Sequence, residues 1–538
     1  MIYAVDVEKF ADSNGDGIGD FGGLLEHIDY LDQLGVTCIW LLPFYVSPRR
    51  DNGYDVADHY RVDPRLGTLA DFHLFVHAAG ERGIRVMIDI VMDHTSDEHP
   101  WFEAARRDRD SRYRNYYTWA DIPPKGGFGH GSAFPGEEYS LWKFDEVAGQ
   151  YYYHPFYRFQ PQLYMGNPEV RVELMRLLDY WMAFGVSGFR LDAVPLMLGL
   201  DGPAIHPPRD PHAILQETRK LVGRRGDTTA LMGEVDLAAG QLSSYFGEGD
   251  ELNCLLNFTL NNYLFLAFAQ ESAKPILRGL RLLPLPPERC QWVNFLRNLD
   301  ELNIQWLPEK DRHLVWDTYA PDPDMRIYGR GIRRRLAPMI DNSDKLEMTL
   351  SLVMALPGTP MIVYGDEIGL GERLDLRGRD AARVPMQWTG GHNAGFSEAP
   401  TEKLVRPIVD QGRFAYTEVN VERQLADEGS LLNCVRKLTR ARRECPEIGR
   451  GNWHILETKS DEILAYQCTW RNGLVILIHN LSANPHVEVI DLTDHRGQKI
   501  ELLLGKVEGV EQFEEKRYRV SLPPYGYAWY RFLEDVER

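Results

Sequence analysis

Over the first two-thirds of the chain, short apolar runs alternate with longer stretches whose apolar positions recur every three to four residues. That alternation marks repeated strand and helix units built on a parallel sheet. The strand-like runs fall at 3–7, 37–42, 85–91, 188–192, 230–234, 252–257, 293–297 and 361–364. Eight of them predict an α/β fold in the form of a closed (β/α)8 TIM barrel, with an open doubly wound sheet as the alternative. Charged residues, Asp89, Asp192, Glu234, Asp300 and Asp366, stand at or just past the C-terminal ends of several runs. In a barrel those ends converge on the catalytic face.

The pattern breaks twice. Residues 95–165, rich in Tyr, Trp, Gly and Pro, are too long for an ordinary βα loop and predict an excursion domain after the third strand, lying over the active face. Within it, the aromatic run 151–159 reads either as a ligand-stacking wall or as the domain's own core. From about residue 452 the helical period gives way to short strand-like runs at 463–468, 474–479 and 486–492, the mark of an antiparallel β-sandwich. The expected organisation is a catalytic barrel over 1–94 and 166–450, an excursion domain over 95–165 and a C-terminal β-sandwich over 451–538.

Charge narrows the choice of partners. The 538 residues hold 60 Lys and Arg against 79 Asp and Glu, a formal charge of −19 that repels phosphate backbones and anionic membranes. Neither nucleic acid nor membrane is expected, and no run approaches the roughly 18 apolar residues needed to span a bilayer. Six cysteines are scattered without CxxC or metal-like spacing, so they read as buried thiols of a reducing compartment. With no leader-like pattern at the N-terminus, a cytoplasmic location is expected. The basic run 333–335 reads as a solvated or salt-bridged helix face.

Three motifs carry chemistry. The stretch 12–20 places Asp12, Asn14, Asp16 and Asp20 two or four residues apart, with glycines that allow a tight curl and the carbonyl of Ile18 filling the gap in the series. Hard cations take such oxygens, so Ca²⁺ is expected there, Mg²⁺ being the alternative and a metal-free Asx-rich turn the plain one. Arg190 and Asp192 alternate onto one side of the fourth strand, where a guanidinium keeps a carboxylate ionised for attack on an anomeric carbon or for stabilising positive charge. A structural ion pair would look the same. Glu234, flanked by apolar residues, suits a general acid, and Asp300 near the seventh strand completes a set around one cavity.

These stretches resemble the α-amylase superfamily, glycoside hydrolase family 13, and within it the trehalose synthase group. The similarity runs through 10–21, 35–67, 89–94, 188–194, 295–302, 319–338, 356–369 and 383–388. The resemblance implies a retaining mechanism with Asp192 as nucleophile, Glu234 as general acid/base and Asp300 as transition-state stabiliser. It further implies that Arg190 and His94 orient the glucosyl unit, that Tyr54 stacks beneath it, and that Asp55 with Arg383 clamps its non-reducing end. Four positions depart from the family pattern: Leu299 replaces a sugar-binding His, Gln162 and Tyr164 replace Asp and Asn, and Asp93 stands where Asn is common. The segment Val235-Asp236-Leu237 also differs on the acceptor side. The expected function is an α-glucosidase or transglucosylase acting on a small α-glucoside, with no organic cofactor. Maltose/trehalose isomerisation and a non-catalytic glycosidase-like scaffold are the alternatives. Oligomeric state is not legible.

Overall fold

In the computed structural model, which describes residues 1–123, 133–199, 210–224, 226, 228–491, 498–514 and 517–534, the eight runs form eight parallel strands. They are β1 (Ile2–Val5), β2 (Cys38–Leu41), β3 (Arg85–Ile90), β4 (Gly188–Leu191), β5 (Ala230–Gly233), β6 (Cys254–Leu256), β7 (Gln291–Phe295) and β8 (Thr359–Val363). Each pairs with its neighbours in chain order and β8 returns to β1, closing the barrel. The open-sheet alternative is thereby excluded. Register sets the floor of the site: Asp89 on β3 lies directly beside Arg190 on β4, placing both at one level of the barrel.

The helix Pro168–Ala183 shows how the barrel holds its loops. Asn167 caps it, accepting from the Glu169 N–H, and Pro168 occupies the first turn, where no N–H is needed. Val170, Leu174, Leu177, Leu178 and Trp181 fall on one buried face at helical spacing. Trp181 packs edge-on against Phe44 and Phe72 with ring centroids 5.3 and 5.1 Å away, and its indole N–H donates to the His59 carbonyl at 3.0 Å. One side chain thus ties the helix before β4 to the loop after β2.

The excursion after β3 contains a three-stranded antiparallel sheet in which Gln150–Tyr153 lies between Trp119–Ala120 and Trp142–Asp145. Single bridges, His94 to Gln162 and Tyr117 to Leu163, fasten its exit to its entry. Within the aromatic run Tyr152 is fully buried, whereas Tyr153 and Phe156 line the cavity described below. The run 333–335 takes the salt-bridged of its two readings, though just ahead of a helix and not on its face. It precedes the helix Leu336–Ile340 and is no solvated face: Arg335 is buried and donates to the Tyr364 carbonyl, and Arg334 pairs with Glu372 at 2.7 Å.

Among the described residues the C-terminal region is antiparallel, in eight strands: β9 (Asn452–Ile455), β10 (Ile463–Trp470), β11 (Gly473–Asn480), β12 (His486–Asp491), β13 (Gln498–Lys506), β14 (Gly509–Glu514), β15 (Arg517–Leu522) and β16 (Tyr527–Glu534). A five-stranded sheet, β9-β10-β11-β16-β13, faces a three-stranded one, β12-β15-β14. Period-two alternation serves two interfaces: Leu474, Ile476 and Ile478 enter the core between the sheets, while Val475 and Leu477 join the core of the barrel. Among the described residues no helix is long and apolar enough to cross a membrane.

Removing the Trp181 ring leaves a cavity and strands the His59 carbonyl, so Trp181→Ala should cost about 3–5 kcal/mol by chemical denaturation. A loss below about 1 kcal/mol would show that this junction contributes little to the fold.

Candidate active site

At the mouth of β3, β4 and β5 one buried guanidinium serves three carboxyl groups. Arg190 Nη1 donates to Asp89 Oδ1 at 2.8 Å and also to Asp192 Oδ1, and its Nη2 pairs with Glu234 Oε2 at 2.7 Å. Asp89 is held from its other side by the Tyr54 hydroxyl at 3.1 Å. Glu234 also accepts from the Ala193 backbone N–H at 3.1 Å, an amide that the left-handed turn at Ala193 (φ 43°) points toward it. Burial pushes Glu234 up to about 8; Arg190 opposes this, and the charges of Asp192 and Asp300 add to it. Burial likewise raises Asp89, to about 7, against the pull of Arg190. At neutral pH the cluster therefore offers a protonated Glu234.

Asp300 has the opposite setting. Its Oδ1 accepts from Arg379 and Arg383, each at 2.8 Å. Burial alone would raise it, but Arg379, Arg383, Arg190 and Arg297 outweigh that and hold its carboxyl below the usual range. Asp192, Glu234 and Asp300 all line one cavity of about 740 Å³, together with Tyr54 and His94. His94 donates from Nε2 to the Tyr54 carbonyl at 3.1 Å and meets Asp93 at 3.4 Å through Nδ1. Burial disfavours a charged imidazole there, yet Asp93, with Asp192 and Asp51, outweighs it and raises His94. Gln162 donates to Asp93 at 2.9 Å, so these two departures from the family pattern form one contact with carboxylate and amide exchanged.

The structure places three expected substrate contacts behind the cavity wall and not on it. Asp55 is fully buried and closes its own loop, accepting from Ser47 Oγ at 2.9 Å and from the backbone N–H of Arg50 and Asp51 at 3.0 and 3.2 Å. Asp51 lines the cavity in its place, accepting from Gln160 at 2.9 Å. The turn requires Gly53, whose φ of 101° and closeness to the Pro43 carbonyl leave no room for a side chain. Arg383 sits behind Asp300, its Nε donating to the Leu299 carbonyl at 2.8 Å, whereas Arg379 and Arg330 stand on the cavity wall. Leu299 is buried behind that wall, which Asn298 and Asp300 form on either side of it. Asp51 stands three residues before Tyr54 and Arg379 four before Arg383. Both motifs hold two residues of the right type, and only loop geometry separates them.

The loop 12–20 curls through successive Asx turns. Asp12 accepts from the N–H groups of Asn14, Gly15 and Gly17, Asn14 from Asp16, and Asp16 from Ile18. Asp20 turns instead to cap the helix Phe21–Glu26, accepting from Gly23 N–H and Ser13. Among the described residues no three His, Cys, Asp or Glu side chains converge as a metal site.

A closed barrel whose strand ends gather a buried guanidinium and three carboxyl groups on one deep cavity defines a glycoside-active enzyme. The pattern described as the alpha amylase catalytic domain matches residues 2–451 and that of the maltogenic amylase C-terminal domain matches 453–529; the chain belongs to the α-amylase family, glycoside hydrolase family 13. It is 39% identical over 539 residues to the trehalose synthase/amylase of Mycobacterium tuberculosis, covering 99% of this chain and 89% of that protein. Over 548 residues it is 38% identical to the trehalose synthase of Pimelobacter sp., covering 99% and 95%. The crystal structure of the trehalulose synthase from Pseudomonas mesoacidophila matches with a TM-score of 0.79 at 26% identity, over 99% of this chain and 98% of that one.

Arg190→Met should leave three carboxyl groups without their shared cation and destabilise the protein by roughly 3–5 kcal/mol at pH 8. Asp89 and Glu234 already have folded pKa values raised above their unfolded ones, so their contribution is complete at low pH and is lost as pH rises through about 7 to 8. The deficit of the variant should therefore shrink toward pH 5. Denaturation curves showing a pH-independent deficit would assign it to packing instead.

Proposed function

We propose that this enzyme cleaves the terminal α-glucosidic bond of a disaccharide or short oligosaccharide with retention, through a covalent glucosyl ester on Asp192. The observation that carries this reading is the single guanidinium shared by Asp192 and Glu234. Two carboxyls on one guanidinium favour the closer separation, about 5–5.5 Å, of a nucleophile and acid/base pair over the about 6.5–9.5 Å that leaves room for an inverting water. Glu234, raised to about 8, protonates the leaving oxygen as Asp192 attacks the anomeric carbon. Asp300, held ionised by arginines, faces the positive charge that develops on the ring. Tyr54 and His94 position the glucosyl unit, and Asp51 with Arg379 holds its non-reducing end, the role expected of Asp55 and Arg383. Glu234, now a carboxylate, then activates water or a sugar hydroxyl to release the ester.

Isomerisation of maltose and trehalose is the second reading, supported by the trehalose synthases among its relatives and by two contacts that tie the loop after β7 to the excursion beside the cavity. Arg330, on the loop after β7, donates to the Ala133 carbonyl of the excursion at 2.8 Å, and the hydroxyls of Tyr157 and Tyr328 meet at 3.3 Å. The free thiols of all six cysteines favour the reducing, cytoplasmic setting. Incubation with maltose, trehalose, sucrose and p-nitrophenyl α-glucoside, followed by product chromatography, decides among the readings. Glucose release supports hydrolysis, maltose/trehalose interconversion the isomerase, and no turnover the scaffold. Asp192→Asn should be nearly inactive; retention of more than about a tenth of wild-type turnover, a barrier change below about 1.4 kcal/mol, overturns the nucleophile assignment.

The same proposal includes a structural Ca²⁺, with Mg²⁺ as the alternative, on Asp12, Asn14, Asp16, the Ile18 carbonyl and Asp20. The loop already closes on its own Asx turns, so an ion would add to these bonds through the remaining lone pairs. At free ion about a hundred times Kd it would stabilise by roughly 2.7 kcal/mol, and EDTA should lower Tm accordingly. An unchanged melting curve and no metal by elemental analysis would leave the plain turn.

A further inference from the structure

Beyond the three carboxyl groups the cavity extends between the loops that follow β5 and β7, and the reaction as proposed uses no residue there. Asp236, two positions past Glu234, accepts the indole N–H of Trp306 at 2.6 Å on one oxygen and the side-chain amide of Asn303 at 2.6 Å on the other. Trp306 and Asp236 are both half-buried, and both line the cavity together with Asn303 and Gln305. A large apolar ring is thus kept at the wall of a polar cavity, with its N–H fixed by a carboxylate and its plane set by that bond.

The position of this plate follows from the chain. The general acid must stand beside the oxygen that leaves, so the departing or accepting sugar lies on the Glu234 side. Asp236 continues the same loop and reaches Trp306 from it. Asp51 and Arg379, which hold the opposite end of the glucosyl unit in the reading above, come from the loops after β2 and β8.

We infer that Trp306 is the platform for the acceptor sugar, whose C–H face lies on the indole, and that Asp236 is the positioning residue that sets the ring's plane. This rests on the glucosyl-ester reading and adds where a second hexose is held. In transfer, the acceptor hydroxyl gives its proton to Glu234 and its oxygen bonds to the anomeric carbon. The bond from that carbon to Asp192 breaks with its electron pair returning to the carboxylate. Water follows the same path but gains nothing from the plate. Trp306 therefore sets the division between sugar and water without touching the glucosyl end.

The test compares maltose with α-glucosyl fluoride, whose leaving group occupies no sugar site. Trp306→Ala should lower kcat/KM on maltose by roughly tenfold or more while changing fluoride hydrolysis by less than about threefold. With glucose added to the fluoride assay, the ratio of disaccharide formed to glucose released should fall as well. Trp306→Phe, which keeps a ring, should recover most of both losses, and Asp236→Asn, which can satisfy only one of its two donors, should fall between. Equal losses on the two substrates, or an unchanged maltose rate and transfer ratio, would overturn the platform. Wild-type protein inactive on the fluoride would instead remove the glucosyl-ester reading, and the platform with it.

Discussion

Everything at the catalytic mouth depends on one buried cation. Arg190 has no solvent to share its charge with, and the barrel supplies three carboxyl groups from three consecutive strands to meet it. Three full negative charges around one guanidinium would repel each other strongly in such a setting. The structure resolves this by protonation as well as by pairing: burial raises Asp89 and Glu234 to about 7 and 8. The proton that Glu234 would deliver as a general acid is therefore also one that relieves repulsion within the cluster. Stability and catalysis make the same demand on Arg190, and the β3–β4 register that sets Asp89 beside it meets that demand through backbone geometry.

A second charge balance governs the other side. The chain is strongly acidic, yet the wall around Asp300 is dense in arginine, drawn from loops after β7 and β8. Arg379 pairs with both Asp300 and Glu301, at 2.8 and 2.9 Å, and lies over the rings of Phe134 and Tyr328. Arg330 joins Glu301 to the excursion domain. One guanidinium, that of Arg379, thus both helps hold Asp300 ionised and packs on Phe134 at the aromatic edge of the excursion. Moving Phe134 away would remove a ring from Arg379, so in the reading proposed above access to the cavity and the setting of Asp300 would be linked through that one side chain.

Much of this was legible from residue order because the physics behind it is local. Eight apolar runs become eight barrel strands since a strand covered on both faces must be apolar nearly throughout. The C-terminal strands announce themselves by alternation, which here serves two different cores. Asp192, Glu234 and Asp300 were legible as strand-end carboxyls, since barrel topology alone brings such ends together. What escaped was decided by loop conformation: Asp51 against Asp55 and Arg379 against Arg383 are the same residue types a few positions apart, and only the turn at Gly53 and the 3-10 turn over Gly378–Ala382 select which faces inward. Leu299 misled for a similar reason. A substitution in a motif reads as a lost contact, whereas 298 and 300 hold the wall and 299 stands behind it.

The Asp93–Gln162 pair shows why such departures are better read in pairs. Taken singly, each looks like damage to a sugar-binding pattern. Together they keep one amide-to-carboxylate bond across the junction of barrel and excursion, with the charge moved from the excursion to the barrel. That move has a consequence one residue away. A carboxylate at 93 raises the neighbouring His94, which an amide would not do, and so favours an imidazolium on the cavity wall. A charged donor binds a sugar hydroxyl more strongly than a neutral one and also opposes positive charge on the ring. In the reading proposed above, the exchange would thus shift His94 toward holding substrate and leave the developing charge to Asp300, whose arginines keep it ionised.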